Sequence, residues 1–264
     1  MTVIFEFGIR KADCFESQAW SRLWLNLQTN ALGTAAFNNA LEAITVQFTE
    51  HGTNPAQSPN KSSLNQLRTN EQLGAFNWEL REFHLASDDG DAGHLRQAMV
   101  KLTPDLSLNN TSALANYINS DAAAIVADKH TTPLEFPAGS AFLGGSADMP
   151  INTRWDGPPP APSTAITTPN SRFHFSLNTC NGCHTGETKT GFQHIGSGDP
   201  IPLRQFSQFL TGDSTKPDGN FHVTDIEGVD RAFNDIMRRR VALAQANDEE
   251  CFLGIFFDPL GMTH

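Results

Sequence analysis

The chain has little charge, few cysteines and no long apolar run, and each shortage argues against a class of protein. Charged residues make up only 18% of its 264 residues, below the roughly 25% that is typical of soluble domains. Acidic residues outnumber basic ones by 29 to 18, which gives a net charge of −11. Such a chain repels phosphate backbones and anionic lipid, so nucleic acid is set aside as a partner. No apolar stretch approaches the roughly 20 residues of a membrane span, so no span is expected.

The chain also lacks a recognisable secretory signal and has only two cysteines outside its one cysteine motif. Residues 1–7 have neither a basic start nor a long apolar core. Cys14 and Cys251 lie near opposite ends, and a disulfide between them would stabilise the fold by roughly 4–5 kcal/mol in a chain-entropy treatment. The alternative is two buried free thiols. We expect the disulfide, and therefore an oxidising compartment and a signal sequence that has been removed or truncated.

Proline divides the sequence into two parts. Residues 150–169 contain six prolines, and consecutive prolines favour the extended polyproline II conformation. We therefore predict a Pro-rich linker or surface arm at 150–169. It separates an α+β domain of unknown role at 1–149 from a small helical domain at 170–264.

The spacing of apolar residues predicts the elements of both parts. In the first part it predicts a strand at 3–7, helices at 17–27 and 37–52, strands at 76–80 and 95–102 around a turn at 88–91, and one or two helices at 114–126. In the second part it predicts helices at 173–177, at 203–210 and from Asp225 to Val241. Strand content is predicted to be low overall. Three helices in about 95 residues barely enclose a core, and a large apolar ligand would help to fill it.

The second part contains the C-x-x-C-H motif of covalent haem attachment, formed by Cys180, Asn181, Gly182, Cys183 and His184. Two thiols one helical turn apart can reach the two vinyl groups on one side of a porphyrin. The adjacent His184 then lies beneath the ring, where its imidazole can bind the iron. Three basic residues are available to pair with the haem propionates: Arg172, Lys189 and Arg204.

Two other uses of the motif remain open. It could be half of a zinc site, completed by two of His174, His184 and His194, but adjacent Cys183 and His184 would make an awkward tetrahedron. It could also be a thioredoxin-like dithiol, which requires a preceding strand and a βαβ context that the sequence does not supply. The spacing therefore favours haem.

The run at 175–184 resembles the haem-attachment helix of c-type cytochromes. Its continuation through 186–195 and 209–212 is similar to a set of uncharacterised exported bacterial proteins with a cytochrome-like C-terminal half. This resemblance implies a small, mainly α, cytochrome c-like fold for 170–264 and one covalent haem c. It also implies electron transfer with a redox partner protein, and assembly in the periplasm or outside the cell. It implies no substrate and no oligomeric state.

The sequence departs from class I cytochromes at the sixth iron ligand, which those proteins usually supply as a methionine well downstream. Met237 lies at a suitable distance but inside a predicted helix. We predict His194 as the sixth ligand, with His222 and Met237 as alternatives. A bis-histidine site would have a lower potential than a His/Met site. An open sixth position would instead suit a haem peroxidase-like or oxygenase-like enzyme, which is the main alternative to an electron carrier.

Overall fold

An antiparallel sheet, a separate hairpin and seven α-helices make up the part of the chain that the computed structural model describes. That part comprises residues 2–9, 11–53, 63–73, 77–85, 93–145, 147–150, 154–168, 170–190, 194–195 and 206–248. The helices are α1 (Cys14–Asn26), α2 (Ala35–Thr49), α3 (Ser112–Ser120), α4 (Ala122–Val126), α5 (Ser171–Leu177), α6 (Gln208–Thr211) and α7 (Asp235–Asp248). Shorter turns are 3-10 helices at Leu27–Thr29 and Leu106–Leu108 and a single-turn π-helix at Gly182–Gly186.

The sheet has the strand order β1-β2-β3-β4, and β5 also pairs with β3. Its strands are β1 (Thr2–Phe7), β2 (Leu64–Leu73), β3 (Asn77–Leu85), β4 (Leu95–Ala98) and β5 (Ala147–Pro150). Because β5 pairs with the first half of β3 and β4 with the second half, these two short strands share one edge of β3. The hairpin is formed by β6 (Phe221–Thr224) and β7 (Asp230–Phe233).

Local capping explains where the first helices begin. The Asp13 side chain accepts a hydrogen bond from the Glu16 N–H at 2.9 Å at the start of α1, and Thr34 caps α2 through the Phe37 N–H. Side-chain oxygens at these positions satisfy N–H groups that have no partner within the helix. The predicted helices at 17–27 and 37–52 are confirmed, and so is the break at 120–121, because α3 ends there and α4 follows.

The main core joins residues from both sides of the Pro-rich stretch. Trp155 is 0% exposed and packs in one cluster with side chains of α3, α4 and α5: Leu114, Tyr117, Ile118, Ile125 and Phe175, together with Phe142. Asp156 is also buried and accepts hydrogen bonds from the Gly157 and Ser163 N–H groups. Trp155 and Asp156, which lie within the Pro-rich stretch at 150–169, are therefore buried in the interior of the protein.

The prediction of a helix starting at Asp225 is wrong. Residues 221–233 form the β6–β7 hairpin, and α7 begins only at Asp235. The Asp225 carboxylate accepts the N–H groups of Glu227 and Val229, and Gly228 has a φ of +77°. This is turn chemistry, which Asp and Gly favour, so the second part is not wholly helical.

Other predicted elements differ in length. The predicted helix at 203–210 is represented by the four residues of α6, and its start lies outside the described residues. The strand predicted at 3–7 is confirmed as β1, whereas β4 ends at Ala98 rather than at 102. The sequence did not predict β2, and the turn at 88–91 lies outside the described residues. The described residues are mixed α and β with low strand content, as expected.

Candidate functional site

The C-x-x-C-H motif follows α5 and ends in a turn that is packed tightly against this helix. Gly182 approaches Ser176 so closely that an added Cβ would overlap the Ser176 carbonyl oxygen. The Glu187 N–H donates to the Gly182 carbonyl at 2.8 Å and closes the π turn. Only a glycine can occupy this point of the turn without displacing α5. Gly182 thus sets the distance between α5 and the turn that holds Cys183 and His184.

The carbonyl groups of the turn are satisfied by side chains that come from nearby segments. The Thr188 hydroxyl donates to the Cys183 carbonyl at 2.9 Å, and the Arg154 Nε–H donates to the Gly186 carbonyl at 2.8 Å. Buried carbonyls need such partners, because an unpaired one loses its hydration without compensation. These hydrogen bonds help to hold the turn in place.

Both motif thiols are free, and they face different surroundings. Cys180 packs against Leu80 and Val100 of the sheet side, and its backbone N–H donates to the Thr103 hydroxyl at 3.1 Å. Cys183 lies on the wall of a cavity. Burial raises the pKa of both thiols, that of Cys183 to about 12. Both are therefore protonated at neutral pH, unlike the thiolates of redox dithiols, whose pKa is lowered.

The structure brings His194 next to the motif. Its ring lies 5.3 Å from the ring of His184 between centroids, and its Nε2 is 3.7 Å from the Cys183 Sγ. The same Nε2 is 3.0 Å from the Cys183 carbonyl, and Nδ1 is 2.8 Å from the Ser207 hydroxyl. Because a carbonyl only accepts, Nε2 carries the proton and Nδ1 accepts from Ser207. Burial lowers the pKa of His194 to about 4, so the imidazole is neutral at pH 7.

The two alternative ligands lie in different places. His222 is on β6 and contacts the Asp230 carboxylate at 2.6 Å and the Asp218 carboxylate at 2.9 Å. These carboxylates occupy both ring nitrogens and raise the pKa of His222. Met237 lies on α7 and lines the same cavity as Cys183. Proximity to the motif thus favours His194, and Met237 is the better placed of the alternatives.

The basic residues predicted to pair with propionates are engaged elsewhere or lie outside the described residues. Arg172 is buried and contacts Glu187 at 2.7 Å and Glu227 at 3.1 Å. The Lys189 ammonium donates to the Thr224 carbonyl at 2.6 Å. Arg204 lies outside the described residues. Of the two that are described, neither has its charge directed to the cavity beside Cys183.

That cavity has a volume of about 720 Å³, within the roughly 300–1,000 Å³ of ligand and cofactor sites. Its wall is mainly apolar and aromatic: Phe173, Leu177, Phe209, Phe233, Met237 and Val241. Charged residues of both signs also line it: Arg231, Arg238, Asp128, Asp230 and Asp235. Arg231 forms an ion pair with Asp225 at 2.6 Å and Arg238 with Asp235 at 2.7 Å. Neither arginine was predicted from the sequence as a residue of this region; an Asp–Gly turn signal at 225–228 could have indicated the hairpin that carries Arg231.

The residues of this region fit a covalently attached haem. Asn181, between the two cysteines, is only 4% exposed, and within the described part of the chain neither its Oδ1 nor its Nδ2 has a hydrogen-bond partner. Buried amides are nearly always paired, so this amide is compatible with a further group bound beside the motif. Two free thiols, an adjacent imidazole and an apolar cavity supply the donors and the volume that a haem c requires. Only Cys183 of the two thiols lines the cavity, so Cys180 would have to turn away from the sheet.

Among the described residues, no cluster of three or more His, Cys, Asp or Glu side chains could by itself hold a metal ion. No described helix is long and apolar enough to span a membrane.

No family model, curated protein or solved structure matches this chain.

Proposed function

We propose that the chain carries one haem c, attached through Cys180 and Cys183 and ligated by His184, and that it transfers single electrons to or from a redox partner protein. The observation that carries the proposal is the motif turn itself. It carries two free thiols and an imidazole, and one of the thiols, that of Cys183, lies on the wall of a cavity of about 720 Å³. Haem, when bound, supplies an iron that changes its oxidation state by one electron. The cytochrome c-like fold of residues 170–264 is part of the same proposal.

The residues of the cavity would bind and shield the macrocycle. The rings of Phe173, Phe209 and Phe233 would exclude water, and a dry surrounding is one of the factors that set a haem potential. Arg231 and Arg238 are the arginines that line the cavity, and to pair with the acidic edge of the macrocycle each would have to leave its carboxylate partner, Asp225 or Asp235. In this proposal they take the role that was predicted for Arg172 and Lys189.

His194 is the proposed sixth ligand, with Met237 and His222 as the alternatives. A neutral imidazole beside His184 is a competent ligand through its unprotonated nitrogen. Binding through Nε2 would require the proton to move to Nδ1, which would then donate to Ser207, and the hydrogen bond to the Cys183 carbonyl to break. Cyanide binding to the ferric protein tests this role. We expect His194→Ala to bind cyanide more readily than the wild type, whereas His222→Ala binds it as the wild type does. Equal cyanide binding by all three proteins would contradict His194 as the ligand.

Covalent haem of this kind is assembled outside the cytoplasm, so the proposal includes a periplasmic or extracellular location. The predicted Cys14–Cys251 disulfide agrees with that location. Cys14 begins α1, which packs against α7, and the Arg22 Nε–H donates to Asn247 at 3.0 Å. Cys251 itself lies outside the described residues, and its pairing stays a prediction.

The decisive experiment is expression of the whole chain together with the haem-maturation proteins. The purified protein is expected to show a c-type pyridine haemochrome spectrum and, after denaturation, a mass increased by one haem. Replacing both Cys180 and Cys183 by Ser is expected to abolish the added mass. Cys14→Ser, which removes a cysteine outside the motif, is expected to retain it. Stoichiometric zinc without iron, or no covalent haem on the wild type, would contradict the proposal.

A further inference from the structure

A buried ion pair joins α5 to the end of the motif turn. The Arg172 guanidinium donates to both carboxylate oxygens of Glu187, at 2.7 and 3.2 Å, and the two side chains are 1% and 0% exposed. Arg172 also donates to Glu227 at 3.1 Å and to the Trp155 carbonyl at 3.3 Å. Bidentate arginine–carboxylate contacts are directional as well as strong. The ion pair therefore fixes the orientation of the Glu187 side chain in addition to compensating its charge.

The position of Glu187 determines that of the motif turn. Its N–H closes the π turn on the Gly182 carbonyl, and Gly182 is itself packed against Ser176 of α5. The turn is thus attached to α5 at both ends, by a backbone contact at Gly182 and by the ion pair at Glu187. Cys183 and His184 lie between these attachments, so the directions of their side chains depend on both.

The same arginine is connected to the wall of the cavity. Glu227 contacts Arg231 at 3.6 Å, and the Arg231 guanidinium lies 3.9 Å from the centroid of the Phe173 ring. Arg231 and Phe173 both line the cavity, as does Cys183. Through Glu227, Arg172 consequently links the turn that carries the thiol to the hairpin that contributes Arg231 to the cavity wall.

We propose that the Arg172–Glu187 ion pair is a positioning device that holds Cys183 against the cavity for cofactor attachment. Desolvation of two buried charges offsets much of their attraction. Stability alone therefore explains poorly why both charges lie in the interior. The consequence for haem attachment rests on the proposed function, whereas the positioning of the thiol can be measured without haem.

Alkylation of the full-length protein without haem by N-ethylmaleimide, followed at each cysteine by mass spectrometry, tests the positioning. We expect Glu187→Gln to accelerate modification of Cys183 by at least about tenfold and to leave Cys180 within about twofold of the wild type. Loss of a buried charged hydrogen bond shifts a local opening equilibrium by about that order. Modification of both cysteines by one common factor, or no acceleration, would overturn the proposal.

Ile44→Ala on α2 is the matched control for general destabilisation. Ile44 is buried, and removing such a side chain costs about 2–5 kcal/mol. We expect this control to change the modification of Cys180 and Cys183 by the same factor, because it acts through global unfolding.

A double variant separates positioning from stability. Arg172→Met combined with Glu187→Met replaces the buried charges by apolar side chains, which often preserves stability but provides no directional contact. We expect this protein to unfold at nearly the wild-type urea concentration and yet to expose Cys183 as Glu187→Gln does. Wild-type protection of Cys183 in the double variant would overturn the proposal.

The same variants then report on the cofactor. In cells that contain the haem-maturation proteins, Glu187→Gln is expected to carry about tenfold less haem per chain than the wild type, matching the gain in exposure of Cys183. A wild type without haem would contradict the proposed function and leave the alkylation result standing. If the wild type carries haem and the variants carry as much of it, the positioning role is overturned and the proposed function stands.

Discussion

The close approach of Gly182 in the motif to Ser176 of α5 predicts that Gly182→Ala destabilises the protein. An added Cβ would overlap the Ser176 carbonyl oxygen and lie 2.5 Å from the carbonyl carbon and 2.9 Å from the Ser176 Oγ. Carbon atoms in contact prefer separations of about 3.5–4.0 Å. All three neighbouring atoms belong to Ser176, and two of them are backbone. The turn and α5 must therefore move apart by about 1 Å or more to relieve this overlap.

The cost of that movement has two parts. Overpacking of this kind costs about 1–3 kcal/mol. The shift also strains a local hydrogen-bond chain, in which the Gly182 N–H donates to the Thr179 hydroxyl at 3.1 Å and that hydroxyl donates to the Ser176 carbonyl at 2.6 Å. A buried hydrogen bond contributes about 1 kcal/mol. We expect Gly182→Ala to lower the free energy of unfolding by about 2–4 kcal/mol.

Urea unfolding of the protein without haem, followed by circular dichroism, measures this loss. Gly145→Ala is the matched control because, its chain neighbours aside, no atom of the described residues lies within 4 Å of the Cβ position at Gly145. The control is expected to match the wild type or to exceed its stability by up to about 1 kcal/mol, through the smaller entropy of the unfolded chain. A Gly182→Ala protein within about 0.5 kcal/mol of the wild type at an unchanged m value would refute the argument.

Three further predictions concern other parts of the molecule. His130→Leu is expected to raise the free energy of unfolding by about 1 kcal/mol in urea at pH 7, because both ring nitrogens are buried and have no partner among the described residues; a less stable variant would contradict this. Two carboxylates raise the pKa of His222, so its stabilising contribution is complete below its ordinary pKa and is lost as pH rises through the folded value. NMR titration should show a lower His222 pKa in Asp230→Asn, and an unchanged value would contradict the ion pair. Mass spectrometry of peptides from non-reduced protein should find Cys14 linked to Cys251, and free thiols at both would disprove the disulfide.

The elements that were predicted well are those whose signals are local. A capping side chain and a helical stripe lie within one segment, so α1, α2 and the α3–α4 break follow from neighbouring residues. The motif was likewise readable, because five consecutive residues supply both thiols and the imidazole. In each case the residues that interact are close in sequence, and tertiary contacts only reinforce a local preference.

The elements that were missed depend on contacts between distant residues. β2 is largely polar, and its Arg68 is buried only because Glu82 of β3 accepts its Nε–H at 3.0 Å and Glu6 of β1 lies 3.2 Å away. Apolar and polar residues do not alternate along β2, so the sequence pattern does not predict this strand. The β6–β7 hairpin was assigned to a helix because apolar residues at 226–241 recur at helical spacing, although an Asp–Gly turn interrupts them.

The same distinction separates the motif from the basic residues that were predicted to pair with propionates. Arg172 precedes the motif by a few residues and lies on α5, where it forms an ion pair with Glu187. Arg231 is far from the motif in sequence, and the hairpin returns it to the cavity that Cys183 lines. A cofactor presents its attachment edge to one segment and its acidic edge to others. The residues that meet the acidic edge are therefore fixed by tertiary structure, whereas those that form the covalent bonds can be identified from their spacing.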